Sequence, residues 1–125
     1  MARYELIWSF DTANYRVEYC AAPDDDLDLS WDDDGSTAEG LESGKFCAFV
    51  ARVQVLHRDT EAVLGEDYLG GCIYESPGDF IDHRGCRADP SKNYGSYFSD
   101  MVREAVRQSR EHIAKAKHDF AAIHA

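Results

Sequence analysis

Residues 24–34 read DDDLDLSWDDD, seven carboxylates in eleven positions, with Leu27, Leu29 and Trp31 set two apart among them. Self-repulsion within such a run costs stability, so the run restricts where this segment can lie. Side chains alternate faces along a strand. The alternation predicts a short strand with Leu27, Leu29 and Trp31 on one face and Asp24, Asp26, Asp28, Ser30, Asp32 and Asp34 on the other. Neighbours in that row would stand about 6.6 Å apart, twice a strand rise of roughly 3.3 Å. That interval resembles the spacing of successive phosphates along one nucleic-acid strand. The segment is expected at a sheet edge, where charge also blocks edge-to-edge pairing. About two or three charges suffice for edge protection, whereas here Glu39 and Glu42 extend a run that already holds seven.

The charge is unevenly spread. Residues 1–45 hold twelve acidic and three basic side chains, residues 46–95 eight and five, and residues 96–125 four and five. The first part therefore carries −9 of the total of −11, which points to a dedicated acidic face. Direct binding to DNA or RNA is disfavoured, because that affinity comes largely from Lys and Arg on phosphates. A basic partner is the complement. The 125 residues suit one domain spanning 1–125, and a hydrophobic content of 44% argues against wholesale disorder. Cys20, Cys47, Cys72 and Cys86 are widely spaced without a CxxC pair, and MARYELIWSF is not an apolar leader. Reduced thiols in a cytosol are therefore expected, and no apolar run approaches the ~20 residues of a membrane span.

Residues 3–10 and 14–21 read as two strands joined by a tight turn. Tyr4, Leu6, Trp8 and Phe10 are expected on one face of the first, and Tyr15, Val17 and Tyr19 on one face of the second. Ser36 with Glu39 matches a capping box for a short helix over 37–43, and Gly44 suits its stop. Residues 46–57 are the strongest strand, and 67–75 return beside them, with Gly70–Gly71 marking a bulge or a close backbone approach. A short helix is expected near 77–83 and a loop over 84–95. From Ser96 or Ser99 to Ile123, helical spacing links Phe98, Met101, Val102, Ala105, Val106, Ser109, Ile113, Ala116, Phe120 and Ile123. The prediction is an α+β fold: an antiparallel sheet of four to five strands packed on one long C-terminal helix, with one or two short helices.

Metal and catalytic motifs fare poorly. An EF-hand loop with Gly35 at its sixth position puts Ser30 first and Leu41 twelfth, so two defining ligands fail. Cys72, His83 and Cys86 are the best zinc set, but Cys72 stands alone in a strand, where a free thiol behaves as a small hydrophobe. Cys72 with His83 or His57 could be assembled into a thiol–imidazole pair for catalysis, but a mid-strand cysteine is not where thiolates are favoured. There is no Walker loop and no GxGxxG, so no catalytic residue, metal or cofactor is assigned. Arg103, Arg107 and Arg110, beside Glu104 and Glu111, read as a solvated helix face.

DYLGGCIYE (67–75) and GSYFSDMVREAV (95–106) resemble segments of small proteins from bacterial phages and plasmids. As a class, the chain resembles acidic anti-defence proteins: anti-CRISPR proteins, and DNA mimics that inhibit restriction enzymes. The resemblance implies an inhibitor whose carboxylates occupy the basic nucleic-acid channel of a complex such as a CRISPR effector. The contact residues are then Asp24, Asp25, Asp26, Asp28, Asp32, Asp33, Asp34, Glu39 and Glu42, with Trp31 as an anchor if exposed. Two other classes fit the residues: a dimerisation or interaction module with a solubilising acidic edge, and a small enzyme built on Cys72 and His83. Monomer and dimer are both compatible with the chain, and the 84–95 loop is a rival contact surface.

Overall fold

The structure, a computed structural model, describes residues 3–82 and 97–123. Alternating apolar residues form four strands: β1 (Glu5–Asp11), β2 (Tyr15–Pro23), β3 (Cys47–His57) and β4 (Val63–Tyr74). They pair antiparallel in the order β1-β2-β3-β4, each strand hydrogen-bonded to the next in sequence. A helix α1 (Ser36–Glu42) lies between β2 and β3, a 3₁₀ turn spans Pro77–Phe80, and the long helix α2 covers Tyr97–Ile123. This is the expected α+β architecture. The 84–95 loop, with Cys86, and His83 beside it lie outside the described residues.

The core lies between the sheet and α2. Tyr19 and Ala21 from β2, Phe49, Ala51, Val53 and Val55 from β3, and Cys72 and Tyr74 from β4 form one buried cluster with Phe98, Met101 and Ala105 of α2. The helix rests mainly on β4 and β3. Phe80 enters the cluster from the 3₁₀ turn, which the Tyr19 hydroxyl anchors by donating to the Pro77 carbonyl at 2.7 Å. On the outer face of α2, Arg103 pairs with Asp100 at 2.8 Å, and Arg107 with Glu104 at 2.6 Å and Glu111 at 2.7 Å. The hydrogen bond from Arg107, then that from Gln108, holds the Glu104 carboxyl down to about 2. Arg103 and Arg107 thus belong to a solvated, charge-paired face.

Three sequence expectations are corrected. First, residues 24–34 are not a strand; they form a series of turns between β2 and α1. Aspartate side chains compete for backbone N–H groups and favour turns over ladders, and here several do so. Second, Tyr4 and Leu6 do not share a face with Trp8 and Phe10. The β1–β2 register shifts between Leu6 and Trp8, so that Leu6 faces Cys20 while Trp8 faces Tyr19. One extra residue moves every side chain beyond it to the other face. Trp8 meets Phe98 edge-on at 5.3 Å, whereas Tyr4 lies under the Arg52 guanidinium at 4.1 Å on the opposite side of the sheet. Third, β4 begins at Val63 rather than at residue 67.

The Gly70–Gly71 bulge is present. Phe49 pairs with Cys72 and Ala51 with Leu69, leaving Val50 opposite both glycines, and Gly71 has φ of 69°. A second irregularity falls between Val55 and Leu56, whose partners Gly65 and Val63 bracket Leu64. Gly44, with φ of 80°, ends α1 as expected.

Candidate partner-binding surface

Pro23 ends β2, and the Asp24 N–H still bonds the Ala48 carbonyl at 3.2 Å, so the chain leaves the sheet in a fixed direction. The two Asp24 oxygens then do separate work. Oδ1 accepts the Asp26 N–H at 3.1 Å, and Oδ2 accepts the Gly71 N–H at 2.8 Å. The second bond ties the start of the acidic segment to the bulge in β4 and satisfies a donor that the bulge removes from the ladder. Asp28 accepts the Ser30 N–H at 2.9 Å, and Asp34 accepts that of Ser36 at 2.9 Å. The Ser30 backbone N–H, then its hydroxyl, holds the Asp28 carboxyl below the ordinary carboxylate range.

Asp32 closes the segment. Its two oxygens accept the N–H groups of Thr37 at 3.2 Å and Ala38 at 3.0 Å, the second and third residues of α1. This corrects the expected capping box: Ser36 is the first helical residue, and the N-cap is Gly35 in the left-handed region with φ of 71° and no side chain to offer. A carboxylate three residues upstream takes over the cap and lies at the favourable end of the helix dipole. Substituting Asp32 with alanine is expected to cost about 1 kcal/mol and to release the amides of Thr37 and Ala38. Hydrogen exchange resolved to residues 36–42 tests this, with Asp33→Ala as the silent control; equal protection in both variants would contradict the assigned cap.

Burial divides the acidic residues. Asp24 and Asp32 are half-buried, whereas Asp28 and Asp34, which also accept backbone N–H groups, are exposed together with Asp25, Asp26, Asp33, Glu39 and Glu42. Leu27 and Leu29 are half-buried, and Trp31 projects with 55% of its surface exposed. The segment therefore presents one aromatic ring among exposed carboxylates, without the regular spacing that a strand would impose.

The thiol sites are differently placed. Cys72 is buried and its thiol donates to the Leu69 carbonyl at 3.4 Å; Cys47, on the paired strand, donates to the Tyr74 carbonyl at 3.5 Å. Burial pushes the Cys47 thiol up. Cys72 faces Phe49, and His57 lies eight residues further along β3, about 26 Å away at the strand rise, so these two do not form a catalytic pair. No group of three or more His, Cys, Asp or Glu side chains among the described residues is arranged to hold a metal ion. Likewise, among them no helix is long and apolar enough to cross a membrane.

A further surface escaped the sequence reading. The buried stripe of α2 comprises Phe98, Met101, Ala105 and Ser109, whereas Ile113 is half-buried and Ala116, Phe120 and Ile123 are exposed. Helical periodicity marks an apolar face but carries no information on where its support ends. No family model, curated protein or solved structure matches the chain.

Proposed function

We propose that the protein is an acidic inhibitor that occupies the basic nucleic-acid site of a partner complex, such as a CRISPR effector, in the bacterial cytoplasm. It acts by occupancy rather than catalysis. The observation that carries this reading is a set of exposed carboxylates on a segment whose backbone their own neighbours hold. Asp24 and Asp32 position the segment. Asp25, Asp26, Asp28, Asp33 and Asp34 meet Arg and Lys side chains of the partner, and Glu39 and Glu42 extend the contact along α1. Trp31 supplies a central apolar anchor, a residue type enriched at binding hot spots. A backbone held before binding loses less entropy when the complex forms. Charge steering then speeds association, and the affinity falls as salt rises.

A tagged pull-down from bacterial lysate expressing CRISPR effector complexes, eluted in steps of salt, tests the reading. Release of a basic complex at moderate salt, together with loss of that complex's DNA binding, is expected. Changing Asp to Asn at positions 25, 26, 28, 33 and 34 leaves Asp24 and Asp32 in place and keeps a side-chain oxygen to accept the Ser30 and Ser36 N–H groups, so the segment should hold its backbone. Exposed ion pairs contribute about 0.2–1 kcal/mol each, so this five-site variant should bind roughly fivefold to several-thousandfold more weakly. Binding that persists unchanged at high salt and in this variant would rule out mimicry.

A further inference from the structure

The exposed end of α2 has a pattern that the sheet does not use. Ile113, Ala116, Phe120 and Ile123 occur at steps of three, four and three residues, the a/d spacing of a coiled-coil seam. Ser109 is the last fully buried residue of the helix, and the fourteen described residues after it rise about 21 Å, with Ile113 half-buried and the others exposed. A helix of that length is marginal in water unless its apolar face is packed. Phe120 and Ile123 leave 64% and 77% of their surfaces exposed. Between this arm and the end of the sheet runs an open apolar groove of about 450 Å³, floored by Tyr15 and Leu64 and bordered by Ile113 and Phe120. At that groove the Nδ1 of His57 is buried without a hydrogen-bond partner among the described residues, while its ring meets Tyr15 edge-on at 5.9 Å.

We propose that this arm and groove receive the same arm of a second copy of the chain, forming an antiparallel, two-fold-symmetric helix pair. Two features of the arm select a second copy as the occupant. The seam is self-complementary: in antiparallel register Ile113 faces the partner's Ile123 and Ala116 faces the partner's Phe120, the a-against-d layering that such a pair needs. That register brings the partner's Ile123 onto the groove beside Leu64. The second feature is charge. Residues 110–123 hold Glu111 and Asp119 against Arg110, Lys115 and Lys117, for a net charge of only +1 in a chain of −11. Two copies meeting here keep their acidic segments out of the interface, whereas a contact through the acidic segments would bring like charges together at a cost. With only four seam residues per copy, the contact lies at the small end of specific interfaces, so the dimer is reversible. The acidic segment takes no part in it, and the inference stands independently of the inhibitor reading.

Sedimentation equilibrium of the full chain from about 1 μM to about 1 mM tests this. The mass should rise from one chain to two across that range. Ala116→Glu combined with Ile123→Glu places charges in the seam at exposed positions while keeping good helix formers, and this variant should stay monomeric with an unchanged near-ultraviolet circular dichroism spectrum. Ile123→Ser, which adds no charge, should weaken association at least tenfold, while Arg103→Glu on the charge-paired face should leave it intact. A chain that remains monomeric at the highest concentration overturns the proposal, as does a seam variant that dimerises like the parent.

Discussion

Phe80→Ala should cost the fold about 3–5 kcal/mol, the range for removing a fully buried aromatic ring. Phe80 is 1% exposed, and its ring lies 5.4 Å from that of Tyr74, 5.6 Å from Tyr19 and 6.1 Å from Phe49. Such pairs contribute beyond area burial, so the substitution removes three ring contacts as well as opening a cavity. The ring also docks the 3₁₀ turn, which has little regular structure of its own: only Pro77–Phe80 is helical, and the Ser76 hydroxyl donates to Asp79 at 3.0 Å. Loss of 3–5 kcal/mol is a large part of the roughly 5–15 kcal/mol that holds a domain together. Urea denaturation should show the midpoint falling steeply with little change in slope. Phe80→Leu, which keeps most of the volume, should cost about 1.5 kcal/mol or less. A loss below about 1 kcal/mol for the alanine variant would mean that the turn does not close the core.

Gly65→Val should be comparably severe, and even Gly65→Ala should destabilise. In a strand interior, replacing glycine normally helps, because glycine loses the most backbone freedom on folding. Here the sign reverses. A Cβ at Gly65 would collide with the Ala105 carbonyl oxygen and lie 2.7 Å from the Ser109 hydroxyl, which itself donates to that carbonyl at 2.8 Å. The backbone of α2 lies directly on β4 at this position, and no side-chain rotation relieves a clash with backbone. Overpacking of this kind costs about 1–3 kcal/mol for alanine and more for valine, which must lift the helix. Thermal unfolding would give the magnitude, and hydrogen exchange along 101–109 would show α2 loosened. An alanine variant as stable as the parent would contradict the close approach.

Much of this architecture is local information and was readable in the chain. The strand at 46–57 and the helix ending at Ile123 follow from the periods of their apolar residues, and Gly44 and Pro77 mark a helix stop and a helix start. Gly70–Gly71 announced a bulge because two adjacent glycines in a strand have few other uses. The acidic segment misled through the same logic. Leu27, Leu29 and Trp31 alternate as a strand would, yet alternation reports only a tendency, and aspartates at 24, 28, 32 and 34 had nearby N–H groups to bond. Those side-chain bonds hold the segment in turns instead of a ladder.

Periodicity, end signals and charge asymmetry therefore sufficed for the α+β class, a sheet of four to five antiparallel strands and the long C-terminal helix, because each depends on residues close in sequence. Partners far apart in the chain decided the rest. Asp24 took its role from Gly71, 47 residues away, and Gly65 took its requirement from Ala105. The bulge before Trp8 was set by pairing with Tyr19, and the exposed end of α2 by where the sheet stops supporting it. Such features arise only when separate elements are brought into contact, and a one-dimensional pattern does not contain those distances.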